Sequence, residues 1–148
     1  MVHALEEIRR LLKPTGTLID IHPVAESSPI EIHHRGKIDV AGYLLVRQWC
    51  ADYEQADQAL LEIVRGGLFA VERESVLDSL THYGSAAEMR TSLKEALDKY
   101  ARDAESAGEE VPQVEALVAH AEKLMQAAGR GAELMVRERT HMSRLRPN

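Results

Sequence analysis

Apolar residues recur every three or four positions in four stretches of the chain, and this spacing predicts four amphipathic helices. Pro14 ends the first stretch, and Gly66-Gly67 ends the second. Ser85 and Glu88 form the capping-box pattern that begins the third helix. The predicted helices cover residues 2–12, 52–65, 85–104 and 114–128, with a loop at 106–112.

Shorter apolar patterns between the helices predict β-strands. The segment "TLIDI" carries one charge, at Asp20, which is typical of a parallel strand covered on both faces. Arg35-Gly36 divides "IEIHHRGKIDVAGYLL" into the two strands of a hairpin, because glycine accepts the positive φ of a tight turn. The predicted strands cover residues 17–21, the hairpin within 30–45, a long strand at 68–83 and a final strand at 134–142.

Composition and charge narrow the class of protein. With 148 residues, 45% of them hydrophobic, the chain has the size and apolar content of one globular domain. The net charge of −6 argues against nucleic acid or an anionic membrane as a partner. Charges interrupt the N-terminal segment, no run of about 18 apolar residues occurs, and Cys50 is the only cysteine, so we expect a cytoplasmic protein.

Three segments resemble the C-terminal half of a class I S-adenosylmethionine-dependent methyltransferase. "ALEEIRRLLKPTGTLIDIHP" (Ala4–Pro23) is similar to that family's helix and fifth strand, with Thr15 where most members have the first glycine of a Pro-Gly-Gly turn. "GLFAVERESVLDSLTHYGSAAEMRTSL" (Gly67–Leu93) resembles the sixth strand and the next helix, and "GAELMVRERTHMSRLRP" (Gly131–Pro147) resembles the seventh, antiparallel strand. The resemblance implies an α/β fold: a partial Rossmann-like methyltransferase sheet of fifth- to seventh-strand equivalents, with a hairpin insertion and flanking helices, in a single domain over residues 1–148.

The same resemblance implies a function that this chain does not complete alone. Family members bind S-adenosylmethionine with a glycine-rich turn between a strand and a helix, whereas Gly129-Arg130-Gly131 follows a helix and precedes a strand. We therefore expect the C-terminal part of a methyltransferase that acts on a small molecule, with no cofactor bound by this chain and no activity in isolation. The alternative is a non-enzymatic interaction or regulatory domain that retains the half-sheet.

The resemblance covers only the C-terminal half of the methyltransferase fold, and this affects which partners we expect. Four strands of the family fold would lie upstream of Met1, which we expect to be an internal methionine of a longer or split reading frame. Without those strands, "TLIDI" would have an unpaired apolar edge, and such edges recruit partners. We expect a homodimer or docking onto a separately encoded N-terminal methyltransferase half. An unrelated α/β protein with a chance match is the third possibility.

The histidines and their neighbours are the first candidates for a site. His22 and Pro23 follow the first strand, and open α/β sheets bind ligands at the carboxyl ends of their strands. His22 would bind a methyl acceptor or act as a general base, and the other interpretation is a loop histidine at a strand end. His33 and His34, together with His22 and Cys50, have zinc-ligand chemistry, but adjacent strand residues point to opposite faces, so we predict no metal site.

Aromatic and basic residues provide weaker candidates. Three aromatic residues, Tyr43, Trp49 and Tyr53, are closely spaced around the start of the second helix and would line a substrate pocket, with core packing as the alternative. The run "VRERTHMSRLR" would bind an anion or, on an edge strand, prevent pairing with another chain. No residue is assigned a catalytic role apart from the general-base role considered for His22.

Overall fold

The structure, a computed structural model, describes residues 2–45, 47–100 and 104–148, with the backbone alone for residues 47, 48, 98–100 and 104–112. Within these ranges the chain is mixed α/β, with four helices and a five-stranded antiparallel sheet. In chain order the elements are α1 (Val2–Leu11), β1 (Leu18–Pro23), β2 (Ser28–His34), β3 (Lys37–Leu44), α2 (Arg47–Arg65), β4 (Phe69–Tyr83), α3 (Ala86–Tyr100), α4 (Ala104–Ala128) and β5 (Glu133–Pro147).

The chain forms two compact units. The first unit consists of Met1–Glu26, Arg47–Ser79 and Glu138–Asn148, and the second consists of Ser27–Val46 and Leu80–Arg137. Strands β4 and β5 therefore contribute residues to both units. A single domain over residues 1–148 stays a prediction.

Strand β5 is the central strand of the first unit. β1 pairs antiparallel with it, from Leu18 opposite Leu145 to Pro23 opposite Thr140. β4 also pairs with β5, and next to this pairing the Asn148 N–H donates a hydrogen bond to the Leu68 carbonyl at 3.2 Å. Because β1 and β4 are both antiparallel to β5, they run parallel to each other.

Helix α2 packs on β1 in the first unit, and α1 packs on α2. Gly67 has a φ of 71°, and the Leu68 N–H donates to the Ile63 carbonyl at 3.0 Å. This is a Schellman motif, and it confirms the helix end predicted at Gly66-Gly67. The buried apolar residues of the unit's core are Leu5, Ala59, Leu60, Ile63, Phe69 and Leu145.

The second unit is built on the β2–β3 hairpin. Arg35 and Gly36 both have positive φ, at 48° and 75°, which confirms the predicted tight turn. β2 also pairs antiparallel with the first residues of β5, α4 packs on β2 and β3, and α3 packs on α4. Ser85 Oγ accepts a hydrogen bond from the Glu88 N–H at 3.1 Å, as the predicted capping box requires.

The parallel-sheet prediction for the first strand is wrong. β1 pairs antiparallel with β5, and Ile19 and Ile21 on one of its faces are 50% and 59% exposed. Asp20 and His22 lie on the covered face instead. The prediction failed because the covered positions Asp20 and His22 are polar while the exposed positions are apolar, the reverse of an ordinary half-buried strand. The α/β class is confirmed, whereas an antiparallel sheet does not establish a Rossmann-like methyltransferase half-sheet.

Several predicted boundaries also change. The loop predicted at 106–112 lies within α4, and α2 begins at Arg47, so it includes Trp49. β5 continues to Pro147 and is not an edge strand, because β1, β2 and β4 all pair with it. Its charges therefore do not act by keeping other strands away from an edge. In the described part of the chain, no helix combines the length and the apolar character needed to cross a membrane.

Candidate functional site

The α2-covered face of the first unit changes from apolar to polar along its length. Alternate residues of a strand share a face, so β1 and β5 place their side chains there in opposed pairs. One apolar pair belongs to the core, and the two pairs beyond it are polar. In order, the pairs are Leu18 with Leu145, Asp20 with Ser143, and His22 with His141. We call the four polar residues, together with Asp57 of α2, the His22 cluster.

His22 lies between two carboxylates. It is 9% exposed, its Nδ1 lies 2.6 Å from Oδ2 of Asp20, and its Nε2 lies 2.9 Å from Oδ1 of Asp57. Burial lowers the pKa of His22, but the hydrogen bonds to Asp57 and Asp20, together with the negative charges of these carboxylates, outweigh burial and raise the pKa above the ordinary 6.5. When protonated, the ring donates to both carboxylates, so one positive charge lies between two negative charges.

His141 packs edge-on against His22, with ring centroids 5.4 Å apart and an interplanar angle of 78°. Its Nδ1 is buried 3.8 Å from Oδ1 of Asp57 and has no hydrogen-bond partner among the residues that the structure describes. Its Nε2 lies 3.5 Å from Oγ of Ser143, which is 1% exposed. Buried polar atoms are nearly always paired in proteins, so this nitrogen has hydrogen-bonding or coordinating capacity that the described residues do not use.

A pocket of about 370 Å³ opens beside the cluster, within the first unit. This volume lies in the usual range for small-molecule sites, which are mostly apolar with a few polar groups. Asp57, His141 and Ser143 supply polar groups from the cluster, and Glu74 of β4 adds a second carboxylate. The apolar lining residues are Leu60, Leu61, Val64, Val71 and Leu145. The lining suits a mainly apolar molecule with one hydroxyl or amine.

The second unit contains another buried charged group, which we call the Glu31 cluster. Glu31 is 6% exposed, and both of its oxygens accept hydrogen bonds from Arg137, each at 2.9 Å. His33 lies 2.7 Å from the same carboxylate. The Arg137 guanidinium is the main reason that the pKa of Glu31 is below its ordinary 4.5; burial opposes this effect, and His33 adds to it. This cluster is satisfied by its own members.

The predicted site residues are distributed over both units. His22 belongs to the His22 cluster, and Pro23 follows it as the last residue of β1, opposite Thr140. Trp49 lies in α2 of the first unit, and Tyr43 lies in β3 of the second unit, where it is 58% exposed. Neither aromatic residue lines the pocket beside the His22 cluster. The functional roles of all four residues stay predictions.

The sequence reasoning missed Asp20, Asp57 and His141 as members of a site. Asp20 and His22 are two residues apart in an apolar strand, which places both on one face. Asp57 lies four residues after Tyr53 and three before Leu60, in line with the apolar face of α2. Both were usable signals. The position of His141, more than a hundred residues away along the chain, depends on the register of β5 against β1 and had no local signal.

Comparison of the chain with protein-family models, with curated proteins and with solved structures found no match.

Proposed function

We propose that this chain is the acceptor-binding, C-terminal part of an S-adenosylmethionine-dependent methyltransferase that acts on a small molecule. The observation that carries the proposal is the His22 cluster near the end of β1, opening onto a largely apolar pocket. The resemblance of Ala4–Pro23 to a methyltransferase helix and fifth strand puts candidate acceptor-binding residues at this same strand end.

Strand directions in the first unit support the proposal. The resemblance implies that the last strand of the chain is antiparallel to its neighbours, and β5 is antiparallel to both β1 and β4. β1 and β4 are consequently parallel to each other, as the equivalents of successive strands in an α/β sheet would be. A fragment of the methyltransferase sheet would have these strand directions if its final strand paired with both of the others.

The described residues do not fit the cofactor itself. The glycines with positive φ lie within the hairpin, at Gly36 and Gly42, or after helix ends. At the start of α3, the Glu88 carboxylate accepts a hydrogen bond from the Gly84 N–H at 2.7 Å, so an anion already occupies that helix start. We therefore assign to this chain the binding of the acceptor and not the binding of S-adenosylmethionine.

The chain's own residues would bind and orient the acceptor. Leu61 and Val64 would contact its apolar part, and Asp57 and His141 would hydrogen-bond its hydroxyl or amine. Either the Asp57 carboxylate or the His141 imidazole would accept the proton that the acceptor loses, and Asp20 would hold the His22 ring beside them through its hydrogen bond at 2.6 Å. Orientation of this kind accounts for roughly 7–11 kcal/mol of a barrier in well-aligned reactions.

The exposed apolar face of β1 favours a binding partner for the chain. Ile19 and Ile21 on β1 and Leu77 on β4 are each about half exposed. Either the missing methyltransferase half or a second copy of the chain would bury such apolar surface. The same exposure favours the second candidate function, a non-enzymatic interaction domain.

Two measurements test the proposed function. Calorimetric titration of the chain with S-adenosylmethionine is expected to give no binding, and one-to-one binding would contradict the absence of a cofactor site. The nucleotide sequence upstream of Met1, and that of adjacent genes, is expected to encode a glycine-rich strand-turn-helix segment. If neither encodes one, the methyltransferase proposal fails and the interaction-domain alternative stands.

A further inference from the structure

We propose that the His22 cluster binds one divalent transition-metal ion of the zinc type, with Asp20, His22 and His141 as protein ligands. One potential ligand atom from each of these residues lies within 4.8 Å of the other two. Imidazole nitrogen and carboxylate oxygen are ligands that Zn²⁺ takes in proteins. The proposal does not depend on methyl transfer, because binding is measured with the metal alone.

The strand register supplies the rigid support that a metal site needs. His22 and His141 are directly opposed on β1 and β5, and Asp20 is two residues before His22 on the same face. Bonds of 2.0–2.2 Å in a tetrahedral site place ligand atoms roughly 3.4 Å apart. Small rotations of the imidazole and carboxylate groups would close the remaining distance without moving the strands.

The unpartnered nitrogen of His141 independently indicates a ligand. Within the part of the chain that the structure describes, this buried Nδ1 has no hydrogen bond, although it faces Asp57 at 3.8 Å. A metal ion would use the free lone pair of the imidazole. Asp57 Oδ1 lies 2.9 Å from His22 and near His141, so it would serve as a fourth ligand or hold an imidazole in its binding orientation.

The charges of the cluster match a divalent cation. Asp20 and Asp57 bring two carboxylates within hydrogen-bond distance of the His22 ring, and His22 would bind the metal as a neutral imidazole. The pocket beside the cluster adds Glu74 and, among its described lining residues, contains neither lysine nor arginine. An ion here would have one side open to the pocket, as catalytic zinc sites do.

The second unit offers a matched control. His34 Nε2 lies 2.6 Å from Oδ2 of Asp39 on the β2–β3 hairpin, so it forms a histidine–aspartate pair like that of His22 and Asp20. The side chain of Asp39 is 50% exposed, and no metal-binding group among the described residues includes this pair. His34→Ala therefore removes an equivalent pair outside the proposed site.

The experiment is calorimetric titration of the metal-stripped full chain with ZnCl₂, in parallel with its His141→Ala, Asp57→Asn and His34→Ala variants. The unmodified chain is expected to bind one equivalent. His141→Ala is expected to weaken binding more than about 100-fold, Asp57→Asn by about 10–100-fold, and His34→Ala not at all. Absence of binding to the unmodified chain, or binding that survives His141→Ala, overturns the proposal, as does loss of binding in His34→Ala.

Two readouts on the unmodified chain keep the test valid if His141→Ala does not fold. Imidazole ¹⁵N resonances of His22 and His141 are expected to shift on addition of ZnCl₂, while those of His33 and His34 stay in place. The Co²⁺-loaded chain is expected to show the visible bands of a four-coordinate nitrogen and oxygen site. Thiolate charge-transfer absorption would assign the ion to Cys50 and overturn the proposal, and shifts confined to the hairpin histidines would do the same.

Discussion

The Glu31 cluster and the His22 cluster are both charged groups centred on a buried β-strand residue, but they differ in how their charges are balanced. In the Glu31 cluster, the Arg137 guanidinium matches the Glu31 carboxylate with two hydrogen bonds at 2.9 Å, and His33 adds a third partner. In the His22 cluster, two carboxylates surround one imidazole, and a second imidazole has a buried nitrogen without a described partner.

We infer from this difference that the Glu31 cluster is mainly structural and that the His22 cluster is available for binding. A carboxylate matched by a bidentate arginine is complete, and disturbing it leaves a buried charge uncompensated. A cluster with more carboxylates than cations and with an unpartnered imidazole nitrogen can still bind a ligand or an ion. The His22 cluster is of this kind, and it adjoins a pocket. We therefore expect changes in the Glu31 cluster to affect mainly stability and changes in the His22 cluster to affect mainly binding.

The largest expected effect is that of Arg137→Met. It leaves the Glu31 carboxylate buried without its main partner, so we expect the free energy of unfolding to fall by about 3–5 kcal/mol, measured by urea denaturation. The double variant Glu31→Met/Arg137→Met is expected to recover most of this loss, because an apolar pair has no charge to desolvate. A loss below about 1 kcal/mol in the single variant would mean that Glu31 is not a structural charge.

Acid pH tests the same cluster without changing its arginine. The pKa of Glu31 is lowered, so its carboxylate stabilises the fold above the ordinary pKa of 4.5, and this contribution disappears as the pH falls through the folded-state pKa. Each unit of lowering corresponds to about 1.4 kcal/mol. Unfolding free energies measured from about pH 6 downward should fall less steeply in Glu31→Gln. If the free energy of unfolding falls equally steeply with pH in the unmodified chain and in Glu31→Gln, the Glu31 carboxylate does not stabilise the fold.

Asp57→Asn is expected to cost less stability than Arg137→Met. The Asp57 side chain is 48% exposed, and exposed charge pairs contribute at most about 1 kcal/mol. Asp52→Asn on the same helix is the matched control for the change of one charge. A stability loss comparable to that of Arg137→Met would show that the His22 cluster is also a structural group and would remove the contrast between the two clusters.

The smallest effect on stability is expected for Leu61→Trp, which fills the pocket from a side chain that is 39% exposed. Surface substitutions of this kind usually change stability by no more than about 0.5 kcal/mol. The substitution should abolish binding of small phenols, measured by thermal shift. Leu77→Trp, on β4 but outside the lining of this pocket, is the control and should leave binding unchanged. If both variants bind the phenol equally well, this pocket is not the binding site.

Local patterns in the sequence were sufficient for much of the fold. The spacing of apolar residues in α2, the glycines after it and the turn at Arg35-Gly36 act within a few residues, and the structure agrees with each. Sheet direction and strand partners depend on contacts between distant segments, which is why β1 was expected in a parallel sheet. Of the candidate site, His22 alone was identified from the sequence. Asp20 and Asp57 had local signals that were not used, whereas His141 approaches His22 only through the register of β5 against β1.

The most direct test of the account is an amide and imidazole NMR titration of the full chain with para-cresol, an apolar molecule that carries one hydroxyl. The account predicts saturable shifts at pocket and cluster positions such as Asp57, Leu61 and His141, with Glu31, His33 and Arg137 unaffected. Absence of saturable shifts at the pocket, or shifts centred on the Glu31 cluster, would contradict the assignment of the His22 cluster as the functional site.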